Sequence, residues 1–300
     1  MIINPSDLFP KVLQNTLDKY GQDIELDLGF LPSLNKRIHG LCKKNLVVVG
    51  GRPSQGKSTL LLNMASSIAT QGKRVLFFTL EMTVKTCILR LMNAYCSIDN
   101  WVNIAGMSPE EYNVCQGKIT EFRDHLENLE LVFLESRGKT FEEINKIIER
   151  VDGGVDAVFI DYVQMIANND KSGIDEYIKA LRNLAIKKDF CAIIGSQINR
   201  GTYDSSKVTY PEMWQLKSSG ALEEICDLCV LVHWQHHYTR EEENYNDYWI
   251  RVCKNREGRT GVFDCRFEPE FCRICEKPDE TFKEKYTVDQ GTSIIDYGRD

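Results

Sequence analysis

The chain has 300 residues, 42% of them apolar, and a net charge of −7, enough for one large domain with a sizeable core. No apolar run approaches the ~20 residues of a membrane span, and residues 1–20 carry scattered charges without an apolar signal core, so nothing marks the chain for a bilayer or for secretion. The 11 cysteines are odd in number and dispersed, many in apolar stretches (Cys191, Cys226, Cys229, Cys253), which suits reduced thiols in a cytosol-like compartment better than a disulfide framework.

Residues 6–20 read as a short helix, with Pro10 inside its first turn and Val12, Leu13 and Leu17 as an apolar stripe. Residues 1–28 are taken together as linker helix and linker. From Gly29 to residue 275 the pattern alternates strands (46–50, 74–79, 129–134, 157–161, 191–196, 228–233, 248–253, 263–268) with helices (57–70, 84–95, 109–126, 140–150, 174–189). That alternation predicts an α/β fold: a mostly parallel twisted sheet with helices on both faces. The last strands lie close together around a turn signal at residues 256–258, which predicts an antiparallel edge hairpin. Residues 276–300 are charged and poor in apolar side chains, and read as a mobile tail.

Within this order, Gly51-Arg52-Pro53-Ser54-Gln55-Gly56-Lys57-Ser58 fits the phosphate-binding pattern G-x-x-x-x-G-K-[ST] at every fixed position. The buried-strand run Leu46–Val49 precedes it. A helix with Leu60, Leu61, Met64, Ala65 and Ile68 on one face follows. The glycines let backbone N–H groups converge on phosphate oxygens, and the helix N-terminus adds positive potential there. Residues 51–59 are therefore the expected nucleotide-binding segment, with Lys57 on the outer phosphates and the Ser58 hydroxyl on Mg²⁺.

Three further strands end in polar groups on the same expected rim. Val158-Phe159-Ile160-Asp161 has the form of a Walker B element, in which Asp161 joins the Mg²⁺ shell. Phe77 to Thr79 leads to Glu81, which could orient the attacking water; by spacing alone it is equally a capping or solvated carboxylate. Ile193 to Ser196 leads to Gln197, a γ-phosphate sensor or a solvated strand end.

A longer series of motifs occurs in order: Gly29-Phe30, Leu34-Asn35 and Gly40-Leu41; Arg52-Pro53-Ser54 inside the phosphate loop; Leu80-Glu81-Met82; Ile160-Asp161-Tyr162-Val163-Gln164; Ser196-Gln197-Ile198-Asn199-Arg200; Ser219 to Glu223 with Asp227-Leu228; and Lys254-Asn255-Arg256-Glu257-Gly258. Over residues 28–274 this set resembles the ATPase domain of DnaB-type replicative helicases, in the RecA-like superfamily. The resemblance implies a P-loop ATPase that uses ATP and Mg²⁺. Glu81 is the implied catalytic carboxylate, and Gln197 couples nucleotide state to DNA-facing loops. Arg256, helped by Lys254, is the implied arginine finger. A finger acting on a neighbouring copy implies an oligomer, in this family a six-membered ring translocating 5′ to 3′ on single-stranded DNA. The implied channel loops are 167–173 and 199–210, with Lys171, Arg200 and Lys207 as DNA contacts. Lys217 is a further cation, in a segment that lacks the carboxylate found in the family pattern. Primase or a helicase loader are implied partners, and a bacterial or phage-infected cytosol the implied location. By the resemblance, residues 1–28 correspond to the family's linker helix, and no counterpart of its additional N-terminal domain is expected within these 300 residues.

Two rival readings share the fold: a filament-forming recombinase ATPase, and a DNA-binding regulatory ATPase without unwinding activity. The variants Arg52-Pro53-Ser54 and Lys254 to Gly258 favour the helicase. Cys272-Arg273-Ile274-Cys275 is a single C-x-x-C and is not taken as zinc-binding. Residues 233–237, with three histidines, read as a solvated loop. Lys254 and Arg256 without the resemblance read as solvated hairpin charges.

Overall fold

The runs Leu46–Val49, Val158–Ile160 and Ile193–Ile194 show no polar alternation, so the strands they form need cover on both faces. The computed structural model describes residues 24–98, 108–166, 171–198, 210–216 and 219–277. Within them the strands are β1 (Leu46–Gly51), β2 (Val75–Thr79), β3 (Leu131–Glu135), β4 (Ala157–Asp161), β5 (Cys191–Gln197), β6 (Leu228–Trp234), β7 (Asp247–Asn255), β8 (Gly261–Glu268) and β9 (Arg273–Glu276). They form one sheet in the order β3-β2-β4-β5-β1-β6-β7-β8-β9. The first six positions in this order are joined in parallel. β7, β8 and β9 add on antiparallel.

The helices are α1 (Pro32–Ile38), α2 (Lys57–Ala69), α3 (Val84–Cys96), α4 (Pro109–Glu127), α5 (Phe141–Glu149), α6 (Lys171–Lys188), α7 (Ser219–Ile225) and the single turn α8 (His236–Thr239). Alternate residues of each central strand point to opposite faces, and the core divides accordingly. Val47, Val49, Phe77, Phe159 and Ile193 pack with Leu34 of α1, Leu60, Leu61 and Met64 of α2, Leu91 of α3 and Phe122 of α4. Leu46, Val48, Phe78, Val158, Ile160 and Ile194 pack with Ile144 of α5, Ile178 and Leu181 of α6 and Leu222 of α7. Phe77 stacks on Phe159 at 5.7 Å between ring centroids, fixing β2 against β4. Every strand read from the sequence is present, as is the antiparallel edge.

The differences lie in short elements. β9 has four residues and places Glu276, read as the start of the tail, in the sheet. Leu26 and Leu28, read as linker, are fully buried, and Leu26 bridges to Leu41. α6 begins at Lys171, so residues 171–173 open a helix rather than close a loop. α1, α7 and α8 are too short for an apolar period to stand out. The expected helix over 6–20 and nearly all of the expected tail lie outside the described residues. No helix among the described residues is long and apolar enough to cross a membrane.

Candidate active site

β1 delivers the chain to the carboxyl rim of the sheet, where the phosphate loop turns into α2. Gly56, the N-cap of α2, has φ 75° and caps with no side chain, which leaves the first-turn N–H groups of the helix to a ligand. A β-carbon at Gly56 would stand 3.0 Å from the Tyr248 hydroxyl, so this position suits glycine on two counts. The loop is braced from β6 and β7. The Gln55 Oε1 accepts from the Trp234 backbone N–H at 2.7 Å, and the Gln55 carbonyl accepts from the Tyr248 hydroxyl at 2.9 Å. Arg52 is buried with its guanidinium 5.7 Å from the Tyr238 ring centre. The side chains of Arg52 and Gln55 thus hold the loop in shape, and what the loop offers at these positions is backbone. Pro53 and Ser58 are half-buried, Ser54 is exposed and Thr59 is buried.

Two strands away, Asp161 ends β4. Its Oδ1 accepts from the Lys57 ammonium at 3.2 Å, and Lys57 also lies 4.0 Å from the Tyr162 ring centre. The second oxygen, Asp161 Oδ2, is buried and has no hydrogen-bond partner among the described residues. An anionic oxygen left in that state is suited to a hard cation. With Ser58 on the first turn of α2, the residues fit a Mg²⁺ site. A β-carbon at Gly195 would fall 2.9 Å from Asp161 Oδ1, so glycine lets β5 pass close beside the carboxylate.

Glu81 follows β2, whose Thr79 pairs with Asp161, and the Leu80 N–H donates to the Asp161 carbonyl at 3.0 Å. The Glu81 side chain is exposed, and its carbonyl accepts from Arg137 Nη2 at 2.6 Å. Burial, and next the carboxylates of Glu81 and Asp161, push the Tyr162 hydroxyl above its ordinary range. These groups therefore share one electrostatic environment. Gln197 ends β5 opposite Gly51. Its N–H donates to Gln164 Oε1 at 3.2 Å, and Gln164 Nε2 donates to the buried Ser196 hydroxyl at 2.8 Å. Lys57, Asp161, Glu81 and Gln197 thus line one rim. Tyr162, Gln164, Trp234 and Tyr248 were not read as part of the site. The first two sit inside a quoted motif, whereas the last two have no sequence signal.

Lys254 and Arg256 are on the other rim. β7 runs antiparallel to β6, and Asn255 pairs with Leu228, the first residue of β6. At about 3.3 Å per residue, the six residues of β1 put the two rims roughly 17 Å apart. The two cations are not simply solvated. Lys254 Nζ donates to the carbonyls of Glu223 at 2.6 Å and Glu224 at 3.2 Å. Arg256 Nη2 donates to the Glu224 carbonyl at 2.7 Å, and Nη1 lies 3.4 Å from Asp227 Oδ1. Both hold the C-terminal end of α7, where unsatisfied carbonyls favour cations. Arg200, Lys207 and Lys217 lie outside the described residues, as does the side chain of Lys171.

The histidine segment is corrected by the structure. His233 belongs to β6 and is buried, stacked on Trp249 at 5.3 Å and Tyr238 at 5.5 Å, and His236 is buried in α8. His233 Nε2 and Gln235 Oε1 share a hydrogen bond of 3.1 Å. Burial pushes the His233 imidazole down to about 4, against the opposing effect of that bond. Cys272 caps the short 3-10 turn before β9.

The family model described as the DnaB-like helicase C-terminal domain matches residues 27–276. The replicative DNA helicase DnaC of Bacillus subtilis (strain 168) is 26% identical over 248 residues, covering 79% of this chain and 54% of the relative. The replicative DNA helicase DnaB of Geobacillus stearothermophilus is 25% identical over 281 residues, covering 89% of this chain and 61% of the relative. The chain thus spans a little over half the length of these curated relatives. Among solved structures, a DnaB-like replicative helicase described with its primase interactions superposes with a TM-score of 0.81 at 22% identity, over 92% of this chain and 68% of the other. The ATPase domain of G40P superposes with a TM-score of 0.78 at 22% identity, over 92% of this chain and 100% of the other. The motif order, the sheet topology and a match over most of its length together establish that this chain belongs to the DnaB-like helicase C-terminal domain family.

Proposed function

We propose that this chain is the ATPase motor of a replicative-type DNA helicase, which hydrolyses ATP between adjacent copies in a six-membered ring and moves 5′ to 3′ on single-stranded DNA. The observation that carries the reading is the division of the site between two rims. Lys57, Asp161 and Glu81 stand on one, and Arg256 and Lys254 stand on the other, roughly 17 Å away along the strands. A finger at that distance cannot serve its own phosphate loop, but it can serve a second copy stacked rim to rim.

In this reading the N–H groups of residues 51–59 cradle the phosphates, and Lys57 leaves Asp161 for the outer phosphates. Asp161 Oδ2 and Ser58 would hold Mg²⁺, which when bound neutralises phosphate charge. Glu81 orients a water for in-line attack on the γ-phosphorus and takes its proton as the bond to ADP breaks. Arg256 of a neighbouring copy meets the charge on the transferring group with a planar fork of donors, a geometry an ammonium lacks. Gln197, tied to Gln164, passes nucleotide state toward the segments after β4 and β5. There Lys171, Arg200, Lys207 and Lys217 are the proposed phosphate-backbone contacts. Primase is a proposed partner because a structural neighbour is described with it. The proposed setting is the cytosol.

The test is a forked duplex mixed with purified chain, ATP and Mg²⁺. The expected result is DNA-stimulated hydrolysis with strand separation. Hydrolysis that DNA stimulates without any unwinding would overturn the helicase assignment.

A further inference from the structure

We infer that Asp227 is the positioning residue of the Arg256 finger, and that it acts on the neighbouring copy's active site rather than on its own. The inference rests on the reading of Arg256 as a finger in trans. Asp227 is 5% exposed, in the two-residue connection between α7 and β6, and all its polar groups are engaged. Its N–H donates to the Leu46 carbonyl at 2.9 Å, and its Oδ2 accepts from the Leu46 N–H at 2.7 Å, so the start of β1 holds it on two bonds. Its carbonyl accepts from the Arg256 N–H at 2.9 Å, and its Oδ1 faces Arg256 Nη1 at 3.4 Å. Backbone and guanidinium of the finger are thus both referred to one buried carboxyl-bearing residue. Arg182 of α6 contacts the other carboxylate oxygen.

Arg182 and Arg256 repel each other: the Arg256 charge, after burial, is the next cause holding the Arg182 guanidinium below its ordinary range. One buried carboxylate between two like charges keeps them together. Without it, Arg182 drives Arg256 off the end of α7. The finger remains 49% exposed while so held, and can reach outward to a ligand on another molecule. A fixed but half-open guanidinium is what pre-organised stabilisation of a transferring phosphoryl group requires. The connection also has an element-level logic: β1 leads from Leu46, which grips Asp227, to the phosphate loop of the same copy.

The experiment uses the full chain with Asp227→Asn, which keeps the shape and an acceptor for the Leu46 N–H but removes the charge. Since a misplaced catalytic group costs up to about a hundredfold in rate, kcat is expected to fall on that order with KM for ATP little changed. The informative arm is subunit mixing. Asp227→Asn mixed with Glu81→Gln should regain ATPase, because some interfaces then pair an intact Glu81 with a finger held by an intact Asp227. Asp227→Asn mixed with Arg256→Ala should regain none, because both damage the same side. Recovery in that second mixture, an unchanged kcat, or no recovery in the first would overturn the proposal. The control is Arg256→Ala with Glu81→Gln: if verified mixed assemblies fail to recover there, the trans finger itself is refuted, and the role of Asp227 falls with it. If Asp227→Asn does not fold, Asp227→Glu replaces it. The charge is kept but displaced by a methylene, and the same complementation pattern is expected or the proposal fails.

Discussion

At the residue scale, three side chains carry separable chemistry. Lys57 is the buried cation that meets Asp161 in this structure and phosphate in the proposed one. Lys57→Ala is expected to abolish hydrolysis, and near-normal turnover in a phosphate-release assay would contradict the assignment. The Glu81 side chain is exposed, so Glu81→Gln should leave ATP affinity near normal while turnover falls by orders of magnitude; weak nucleotide binding in calorimetry would argue against a water-orienting role. His233 makes a pH prediction. Its folded value of about 4 lies below the ~6.5 of an unfolded imidazole, so the unfolded chain binds more protons between those values. Stability contributed by the neutral ring is full above about pH 6.5 and is lost as pH falls toward 4, on the order of 3 kcal/mol over the window. His233→Phe should flatten the acid side of a denaturant-midpoint profile. An unchanged slope would mean that other groups cause it.

At the element scale, the strands are legible because central strands covered on both faces must be written in continuous apolar residues. Val158-Phe159-Ile160 and Ile193-Ile194 admit few other readings. β9 is not legible for the opposite reason: Arg273-Ile274-Cys275-Glu276 has one fully buried apolar residue, Ile274, and it exists because β8 offers an edge. His233 was placed in the expected strand 228–233, but its burial was missed because it also opens a run with three histidines that looks like a strand giving way to solvent. Tyr238 and Trp249, which sandwich the ring, come from other elements. Helix starts are more local. α5 opens with a reciprocal capping box, in which Thr140 Oγ1 accepts from the Glu143 N–H at 3.3 Å and Glu143 Oε2 accepts from the Thr140 N–H at 2.8 Å. Thr140→Ala should cost about 1 kcal/mol in urea unfolding with the m-value unchanged. Because α5 covers the face opposite α2, ATPase per folded molecule should not move.

At the scale of the whole molecule, the sheet separates two rims, which the proposed function reads as two half-sites. Its carboxyl rim gathers the phosphate loop, Asp161, Glu81 and Gln197. Its other rim carries Lys254 and Arg256 on the end of α7, with Asp227 beneath. In the proposed reading a single copy holds one of each half and no complete site. Mass measurement with ATP and Mg²⁺ is expected to show an assembly of six chains of 34.5 kDa. A strict monomer at all concentrations would remove the basis for any action in trans. The phosphate loop, its strand and its helix were determined by the sequence alone, because close approach of backbone to phosphate demands glycine at particular positions whatever the rest of the fold does. Lys254 and Arg256 were different: by their own sequence they are hairpin charges, and their partners Glu223, Glu224 and Asp227 lie about 30 residues earlier. Only the antiparallel return of β7 along β6 brings them to the end of α7, and only the length of the strands puts them beyond reach of their own phosphate loop. That distance depends on strand direction and register, which backbone hydrogen bonding sets across the whole sheet and no local segment encodes.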